Sequence, residues 1–188
     1  MSGTEVVRLL ATRVQTPIGP MVAGCVARPQ GEALCLLEFD DSTSRASLSK
    51  HYQAHWIQDR CDVLDRARAQ LEAYFARELT EFDLALETPG TPFQMRVWAE
   101  LRRIPYGETI SYAALAGRLG YDGASRAARA VGGANGRNRI AIVIPCHRVV
   151  SADASIGGYG GGIDRKRRLL DLEAGRESPS LFAHAARA

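Results

Sequence analysis

The residues best suited to chemistry lie in the run Pro145-Cys146-His147-Arg148, which follows an apolar segment. A thiol attacks as its thiolate, and an ordinary cysteine pKa of about 8.5 leaves little thiolate at neutral pH. His147 is adjacent and could take the proton, while the positive charge of Arg148 would favour the thiolate. Glu173, in the mostly apolar stretch Leu169–Glu173, could orient the histidine. Together these residues predict a nucleophilic cysteine with a base and an orienting acid.

Each of these residues also has a plain structural interpretation. Cys146 could be a buried structural thiol, His147 a satisfied core histidine and Glu173 a solvated helix residue. The position of Cys146 favours the reactive interpretation. It lies between an apolar, strand-like run at 140–144 that ends in proline and a glycine-rich loop at 157–162. The sequence alone leaves both interpretations open.

The other cysteines do not suggest a disulfide framework. The chain has four cysteines in 188 residues, which fits a reducing compartment. Cys25 and Cys35 lie in apolar, strand-like stretches and are expected to be small buried hydrophobic residues. His51 and His55 are four residues apart and could share a helix face, but no further ligands accompany them. We therefore expect no metal site.

The charge is unevenly distributed although the net charge is only +3. Residues 91–150 hold nine arginines and three acidic residues, whereas residues 1–90 have an excess of acidic residues. The middle segment therefore resembles a surface that meets a polyanion, with an ordinary solvated face as the alternative. No apolar run is long enough to span a membrane, and charges interrupt the N-terminal apolar stretch. A cytoplasmic protein is the expectation.

Hydrophobic patterns predict an α/β N-terminal domain over residues 1–86. Strands are expected at 21–26, 34–39 and 82–86, and helices at 47–56 and 63–75. A run with two prolines and a glycine predicts a linker at 87–91. The second domain is expected at 92–176 and a frayed tail at 177–188.

The second domain is predicted to be mostly α-helical. Helices are expected at 93–102, 111–119, 125–131 and 165–173, with Ser111 as an N-cap and Gly132-Gly133 ending the third. A short glycine-containing connection joins the second and third helices, which is typical of a helix-turn-helix; a plain structural pair is the alternative.

The hexamer Ile144-Pro145-Cys146-His147-Arg148-Val149 resembles the active-site signature of O6-alkylguanine-DNA alkyltransferases, also called methylated-DNA–protein-cysteine methyltransferases. Further matching motifs follow the family order from about residue 91 to 175. They are Thr91-Pro92-Phe93-Gln94, Ile104-Pro105-Tyr106-Gly107-Glu108, Ser111-Tyr112, Ala130-Val131-Gly132-Gly133-Ala134-Asn135, Gly157-Gly158-Tyr159, and Leu169-Leu170 followed by Glu173.

The resemblance implies a ribonuclease H-like N-terminal domain and DNA repair by direct alkyl transfer. A methyl or larger alkyl group would move from O6 of guanine, and from O4 of thymine, to Cys146, irreversibly and without a cofactor. One protein would repair one lesion, because a thioether lies outside thiol–disulfide exchange. The implied partner is double-stranded DNA, bound through its minor groove with the damaged base flipped out. A monomer is expected, with clustering on DNA left open.

The resemblance also assigns roles to individual residues. Cys146 would accept the alkyl group, His147 would act as the base through a water molecule, and Glu173 would orient it. Asn138 would be a hinge before the active-site strand. Tyr112 would push the phosphate during flipping and assist at guanine N3.

The second helix of the pair would meet the DNA, with Arg129 filling the space left by the flipped base. The other DNA contacts implied are Tyr112, Ser125, Arg126, Ala128, Gly132 and Arg148. The alkyl pocket would be formed by Ala141, Val149, Tyr159 and Gly160. Gly160 stands where some relatives carry serine, so added space predicts acceptance of groups larger than methyl.

Two other classes of protein remain possible from these residues. A Cys-His-Glu hydrolase would release product over many cycles, and a DNA-binding regulator would not need Cys146. Only an alkyltransferase would gain one alkyl group on the peptide that carries Cys146.

Overall fold

The structure, a computed structural model, describes residues 7–40, 44–121, 124–153 and 155–176. The chain divides into two compact units, one extending to Pro89 and the other beginning at Gly90. This boundary falls inside the predicted linker at 87–91. Each end of that linker is held by contacts within its own unit. Glu87 accepts a hydrogen bond from Arg28 Nη2 at 2.8 Å in the first unit. Thr91 begins a helix of the second unit.

The first unit is built on a four-stranded sheet in the order β3-β2-β1-β4. Its strands are β1 (Arg8–Val14), β2 (Met21–Arg28), β3 (Gly31–Phe39) and β4 (Trp56–Gln58). The first three strands pair antiparallel, and β4 pairs parallel to β1. Turns join the antiparallel neighbours, whereas the parallel strand needs the longer crossover that contains the first helix.

Two helices, α1 (Ser44–Tyr52) and α2 (Asp62–Phe75), complete the first unit. Helix α2 buries residues at the predicted spacing of three to four: Val63, Leu64, Ala67, Leu71, Tyr74 and Phe75. A separate cluster centres on Leu48 of α1 and contains Leu9, Ala11, Val22, Val26, Cys35, Leu36 and Leu48. Because side chains alternate along a strand, this cluster and α2 use opposite faces of the sheet.

Two predicted elements of the first unit need correction, and one observed strand had no predicted bounds. The helix expected at 47–56 ends at Tyr52, because Gln53 has a φ of 52° and Trp56 pairs with Leu9 in β4. His51 and His55 therefore do not share a helix face. The strand expected at 82–86 is one bridge between Leu34 and Leu86. Strand β1 had no predicted bounds, since its arginines interrupt the apolar pattern.

The second unit contains four helices and one short pair of strands among the described residues. They are α3 (Pro92–Leu101), β5 (Ile110–Ser111), α4 (Tyr112–Arg118), α5 (Ala124–Asn135), β6 (Val149–Val150) and α6 (Ile163–Glu173). The N-cap predicted at Ser111 is confirmed, because its Oγ accepts from Ala114 N at 3.0 Å. Thr91 and Gln94 form a reciprocal capping box on α3.

Helix α5 follows α4 closely and is longer than predicted. It continues through Gly132-Gly133 to Asn135 instead of ending at 131. The helix continues because its far end is held by the core: Ala134 is buried, and its carbonyl accepts from Trp98 Nε1 at 3.0 Å. A Cβ on Gly132 would lie 3.7 Å from the Tyr112 ring, so the two helices approach closely there. Residues 122–123 of the connection lie outside the described residues.

The run at 140–144 is a buried turn rather than the predicted strand. Ile144 N donates to Ile140 O at 2.9 Å, and Ile142 has a φ of 71°. All five side chains are buried, so the apolar pattern reports burial but not an extended backbone. Within the described residues, no helix combines the length and apolar character needed to cross a membrane.

The corrected length of α5 can be tested at Gly133. This exposed glycine lies inside the helix, and a Cβ there would meet only the end of the Arg137 side chain at 3.4 Å. Gly133→Ala should raise the free energy of unfolding by about 0.5–1 kcal/mol in urea titrations. Gly107→Ala is the opposing control, since φ is 78° and Glu173 O lies 3.2 Å from the added Cβ. A loss of stability in Gly133→Ala would instead mean that the helix ends at a left-handed glycine.

Candidate active site

Two asparagine side chains of the second unit hold Cys146, one at its sulfur and one at its carbonyl oxygen. Cys146 begins a single 3-10 turn, Cys146–Arg148, and is buried with 5% of its surface exposed. Asn138 Nδ2 donates to Ile144 O at 2.8 Å and reaches Cys146 Sγ at 3.0 Å. Asn135 Nδ2 donates to the carbonyl of Cys146 at 3.3 Å. The proposed hinge residue, Asn138, thus fixes the buried turn and the thiol together.

The surroundings of Cys146 shift the pKa of its thiol in opposite directions. Burial raises the pKa of Cys146, while the hydrogen bond from Asn138 and the charge of Lys166 lower it. Lys166 is itself fully buried on α6, and its Nζ donates to Val149 O at 2.6 Å. The buried cation therefore makes the thiolate more accessible than it would be in an apolar pocket.

Lys166 was not identified from the sequence, although a signal was present. It precedes Leu169 by three residues and Glu173 by seven, so all three lie on one helix face. A lysine on an otherwise buried helix face is uncommon, because burial of an ammonium group requires partners. This spacing could have indicated that α6 delivers a cation to the site.

His147 and Glu173 meet in the protein interior, as the sequence suggested. His147 Nε2 lies 2.9 Å from Glu173 Oε1, and both side chains are buried. Burial lowers the pKa of His147, and the adjacent carboxylate opposes that shift. If Nε2 donates to Glu173 and the ring is neutral, its Nδ1 presents a lone pair. That Nδ1 atom is buried with no hydrogen-bond partner in the described part of the chain.

Glu173 remains an anion because several donors surround it. Burial acts to raise the pKa of Glu173, but His147 and Arg148 together hold it well below its usual range. Arg148 Nε donates to Oε2 and Nη2 to Oε1, each at 2.9 Å. Gly107 N donates to Oε2 at 3.1 Å. A carboxylate with four donors is a fixed negative charge against the histidine.

Arg148, which the sequence predicts as a DNA contact, lies in the interior of the second unit. The residue is 5% exposed, and its guanidinium is bound to Glu173 and to Ile104 O, the latter at 2.6 Å. Its charge is thus paired with Glu173, and Lys166 is the cation that acts on the thiol. The position of Arg148 two residues after Cys146 in the sequence could not reveal this, since a 3-10 turn points neighbouring side chains in different directions.

The two tyrosines predicted at the site lie close to the thiol. Tyr112 begins α4, is partly buried, and has its pKa raised by burial and then by Cys146. Burial, followed by Cys146, also raises the pKa of Tyr159. Both therefore remain neutral phenols beside Cys146. Asn135 acts in the opposite direction on the pKa of Tyr112, so the end of α5 lies near the start of α4.

The other residues predicted to form the alkyl pocket differ in burial. Val149 and Ala141 are buried, and Ala141 forms an isolated β-bridge with Ile144. A Cβ on Gly160 would have Gly136 O at 3.8 Å as its nearest neighbour, so this position offers space.

On α5, Arg129 is exposed, and Ala128 and Gly132 are partly buried. The side chains of Ser125 and Arg126 lie outside the described residues. Over the described ranges, no cluster of three or more metal-ligating side chains occurs.

Comparisons with known proteins agree with this site. A family profile described as "6-O-methylguanine DNA methyltransferase, DNA binding domain" matches residues 92–175. A methylated-DNA–protein-cysteine methyltransferase of Mycobacterium tuberculosis is 48% identical over 169 residues, covering 89% of this chain and 94% of the relative. A Salmonella typhimurium protein of the same name is 40% identical over 169 residues, covering 88% of this chain and 96% of the relative.

Solved structures give the same result. The crystal structure of Mycobacterium tuberculosis OGT in complex with DNA matches with a TM-score of 0.76 and 46% identity, covering 93% of this chain and 98% of the other. The crystal structure of the Mycobacterium tuberculosis O6-methylguanine methyltransferase matches with a TM-score of 0.74 and 46% identity, covering 92% and 96%.

A buried thiol beside a histidine–carboxylate pair, with these matches, defines a protein whose own cysteine accepts an alkyl group. The chain belongs to the methylated-DNA–protein-cysteine methyltransferase family, which repairs alkylated DNA. The family resemblance stated from the sequence motifs is confirmed.

The structural role of Arg148 gives a prediction about stability. Arg148→Met should lower the free energy of unfolding by about 3–5 kcal/mol, because it leaves the buried carboxylate of Glu173 without its main counter-ion. Urea unfolding followed by the fluorescence of Trp98, buried in the same unit, measures this loss. Arg102→Met removes an exposed arginine and should change stability by less than about 0.5 kcal/mol. Equal effects of the two substitutions would contradict the structural role.

Proposed function

We propose that Cys146 is the alkyl acceptor and that O6-alkylguanine in double-stranded DNA is the donor. The Cys146 sulfur attacks the alkyl carbon, a C–S bond forms, and the C–O bond breaks with its electrons passing to guanine. The observation that carries this proposal is the thiol held by Asn138 beside a buried cation, with a buried histidine paired to Glu173 in the next position. Cys146 is also the only cysteine in the sequence from residue 90 onward.

The proposed proton path uses the free nitrogen of His147. Glu173 fixes the proton on Nε2, so Nδ1 can accept the thiol proton through one water molecule. The resulting imidazolium would be stabilised by the Glu173 anion. Glu173 is thus a positioning residue that acts through the histidine. Guanine needs a proton as it leaves, and the same path can return it.

Each protein would act once in this mechanism. The product is a thioether, which thiol–disulfide exchange does not reverse. The reaction itself needs no cofactor, because the nucleophile is part of the protein and guanine is a stable leaving group.

The proposed DNA interface is the pair α4 and α5, acting as a helix-turn-helix. Small residues of α5 permit close approach of the backbone, which suits the minor groove, and Ala128 and Gly132 lie on this helix. A thiol with 5% exposure cannot reach O6 inside a duplex, so the base must be flipped out. The exposed side chain of Arg129 would occupy the vacated space, and Tyr112 would meet the phosphate and guanine N3.

The proposed substrate range extends to O4-alkylthymine and to groups larger than methyl. The space at Gly160 and the small side chain of Ala141 support this extension. A pocket of this kind discriminates by about 1–3 kcal/mol per methylene, so extra room relaxes the preference. We further propose a monomer in the cytoplasm.

Mass spectrometry tests the acceptor directly. After incubation with duplexes carrying O6-methylguanine or O6-benzylguanine, the intact protein should gain one alkyl group, located on the peptide that contains Cys146. Cys146→Ser should gain none and keep its DNA affinity within a few-fold, because the thiol serves chemistry more than docking. Cys35→Ser is the control that retains transfer. Repeated turnover without a mass gain would indicate a hydrolase, and transfer by Cys146→Ser would overturn the assignment.

The buried cation predicts a pH effect. Lys166 lowers the pKa of Cys146, so Lys166→Met should raise that pKa and move the rise of the transfer rate to higher pH. Methionine retains most of the buried volume. Single-turnover rates between about pH 6 and pH 10 measure the shift, with Lys50→Met, at an exposed position of α1, as the control. Superimposable profiles would remove Lys166 from the mechanism.

The wedge role of Arg129 predicts a substrate-dependent loss. Arg129→Ala should slow repair of a duplex by about tenfold or more, because flipping costs a few kcal/mol that the side chain partly offsets. Reaction with the free base O6-benzylguanine, which needs no flipping, should change little. Arg102→Ala controls for the loss of one exposed charge. Equal losses on both substrates would refute the wedge.

A further inference from the structure

A second pair of reactive groups lies in the first unit. Cys25 is in β2 and Cys61 immediately precedes α2, and their sulfurs are 3.0 Å apart. Cys25 is fully buried, whereas Cys61 is partly exposed. Neither residue takes part in the alkyl-transfer site, because both belong to the other compact unit.

The fold brings these sulfurs together in a defined way. Cys25 follows a register irregularity between β2 and β3, next to Gly24, and faces the side of the sheet that α2 covers. Cys61 is the N-cap of α2 with extended backbone angles, φ −156° and ψ 165°. The amides of Leu64 and Asp65 donate to its carbonyl, each at 3.1 Å, which anchors the cap. An S–S bond of about 2.05 Å needs only about 1 Å of further approach.

We propose that Cys25 and Cys61 form a reversible dithiol–disulfide couple that a low-molecular-weight disulfide oxidises. The Cys61 thiolate attacks the external disulfide, which releases one small thiol and leaves a mixed disulfide on Cys61. The Cys25 sulfur then loses its proton and attacks the Cys61 sulfur, which releases the second small thiol. Two electrons and two protons pass to the external disulfide, which becomes two thiols.

The order of these steps follows from which sulfur an external disulfide can reach. An oxidant can reach Cys61, while Cys25 has no exposed surface. Burial raises the pKa of both thiols, and the amide of Leu64 partly opposes the shift at Cys61. Cys61 is therefore the attacking thiol, and the first step should accelerate as pH rises because more thiolate forms.

The nearby Cys35 is not a competing partner. It packs with the cluster on the opposite face of the sheet, and its sulfur lies 3.5 Å from Gly24 O. Cys146 is held by Asn138 in the second unit. The pairing is thus specific to Cys25 and Cys61.

Closing this bond would fasten the start of α2 to the middle of β2, residues 36 positions apart in sequence. A cross-link over a loop of this length stabilises mainly by restricting the unfolded chain. The expected result is a more stable first unit, with a melting temperature about 5 °C or more higher. Alkyl transfer to Cys146 should be retained, because its own thiol is not consumed.

The test equilibrates the full-length protein in buffers of oxidised and reduced glutathione, blocks free thiols with iodoacetamide in denaturant, and maps peptides without reduction. We expect a linked peptide pair containing Cys25 and Cys61, a higher melting temperature, and reversal of both by dithiothreitol. The oxidised protein should still accept one methyl group on Cys146. Oxidation should occur at redox ratios that leave Cys35 alkylated by iodoacetamide.

Matched variants separate the couple from general oxidation. Cys61→Ser keeps a good N-cap residue and should lose both the cross-link and the rise in melting temperature. Cys35→Ser should keep both. A glutathione adduct that persists on Cys61, a link to Cys35 or Cys146, or cysteines that all remain free in the most oxidising buffer would each overturn the proposal.

Discussion

The buried carboxylate of Glu173 is the interaction on which the second unit depends. It lies at the end of α6 and receives hydrogen bonds from Arg148, His147 and the amide of Gly107. Arg148 also donates to Ile104 O, so one ion pair joins the helix, the 3-10 turn and the loop after α3. Burying an anion is unfavourable unless donors surround it. The three segments must therefore be placed together, or the charge has no adequate partners.

The same carboxylate sets the chemistry of the histidine. Burial disfavours the charged ring of His147, and Glu173 opposes this effect while binding Nε2. In the proposed mechanism, the ring rests neutral with Nδ1 ready to accept a proton. Asn138 and the buried Lys166 counter the effect of burial on the thiol of Cys146. In the proposed mechanism, the thiol of Cys146 can therefore transfer its proton to the neutral ring of His147 when the substrate binds. Arg148 keeps the carboxylate of Glu173 ionised.

The sequence predicted the reacting groups better than their environment. Cys146 and His147 are indicated by residue type and adjacency, Glu173 is indicated by its place in a mostly apolar stretch, and the family motifs around them are distinctive. The burial of Arg148, which the sequence predicts as a DNA contact, could not be anticipated, because it depends on contacts with residues far away in the chain. Lys166 is harder to identify because it stands among three arginines, and only its spacing from Leu169 and Glu173 distinguishes it as a residue of the buried helix face. The sequence predicts a strand at 140–144 where the structure has a turn, because an apolar run shows burial without fixing the backbone angles.

The most direct test of this account is the protonation state of His147. Nitrogen-15 NMR of the free protein, with His147→Gln to assign the signal, distinguishes a protonated from an unprotonated ring nitrogen. The account predicts a neutral ring with its proton on Nε2 and a bare Nδ1 at neutral pH. It also predicts that this state persists below the ordinary histidine pKa of about 6.5, because burial lowers the pKa of His147. A proton on Nδ1, or a ring already charged at neutral pH, would contradict the account.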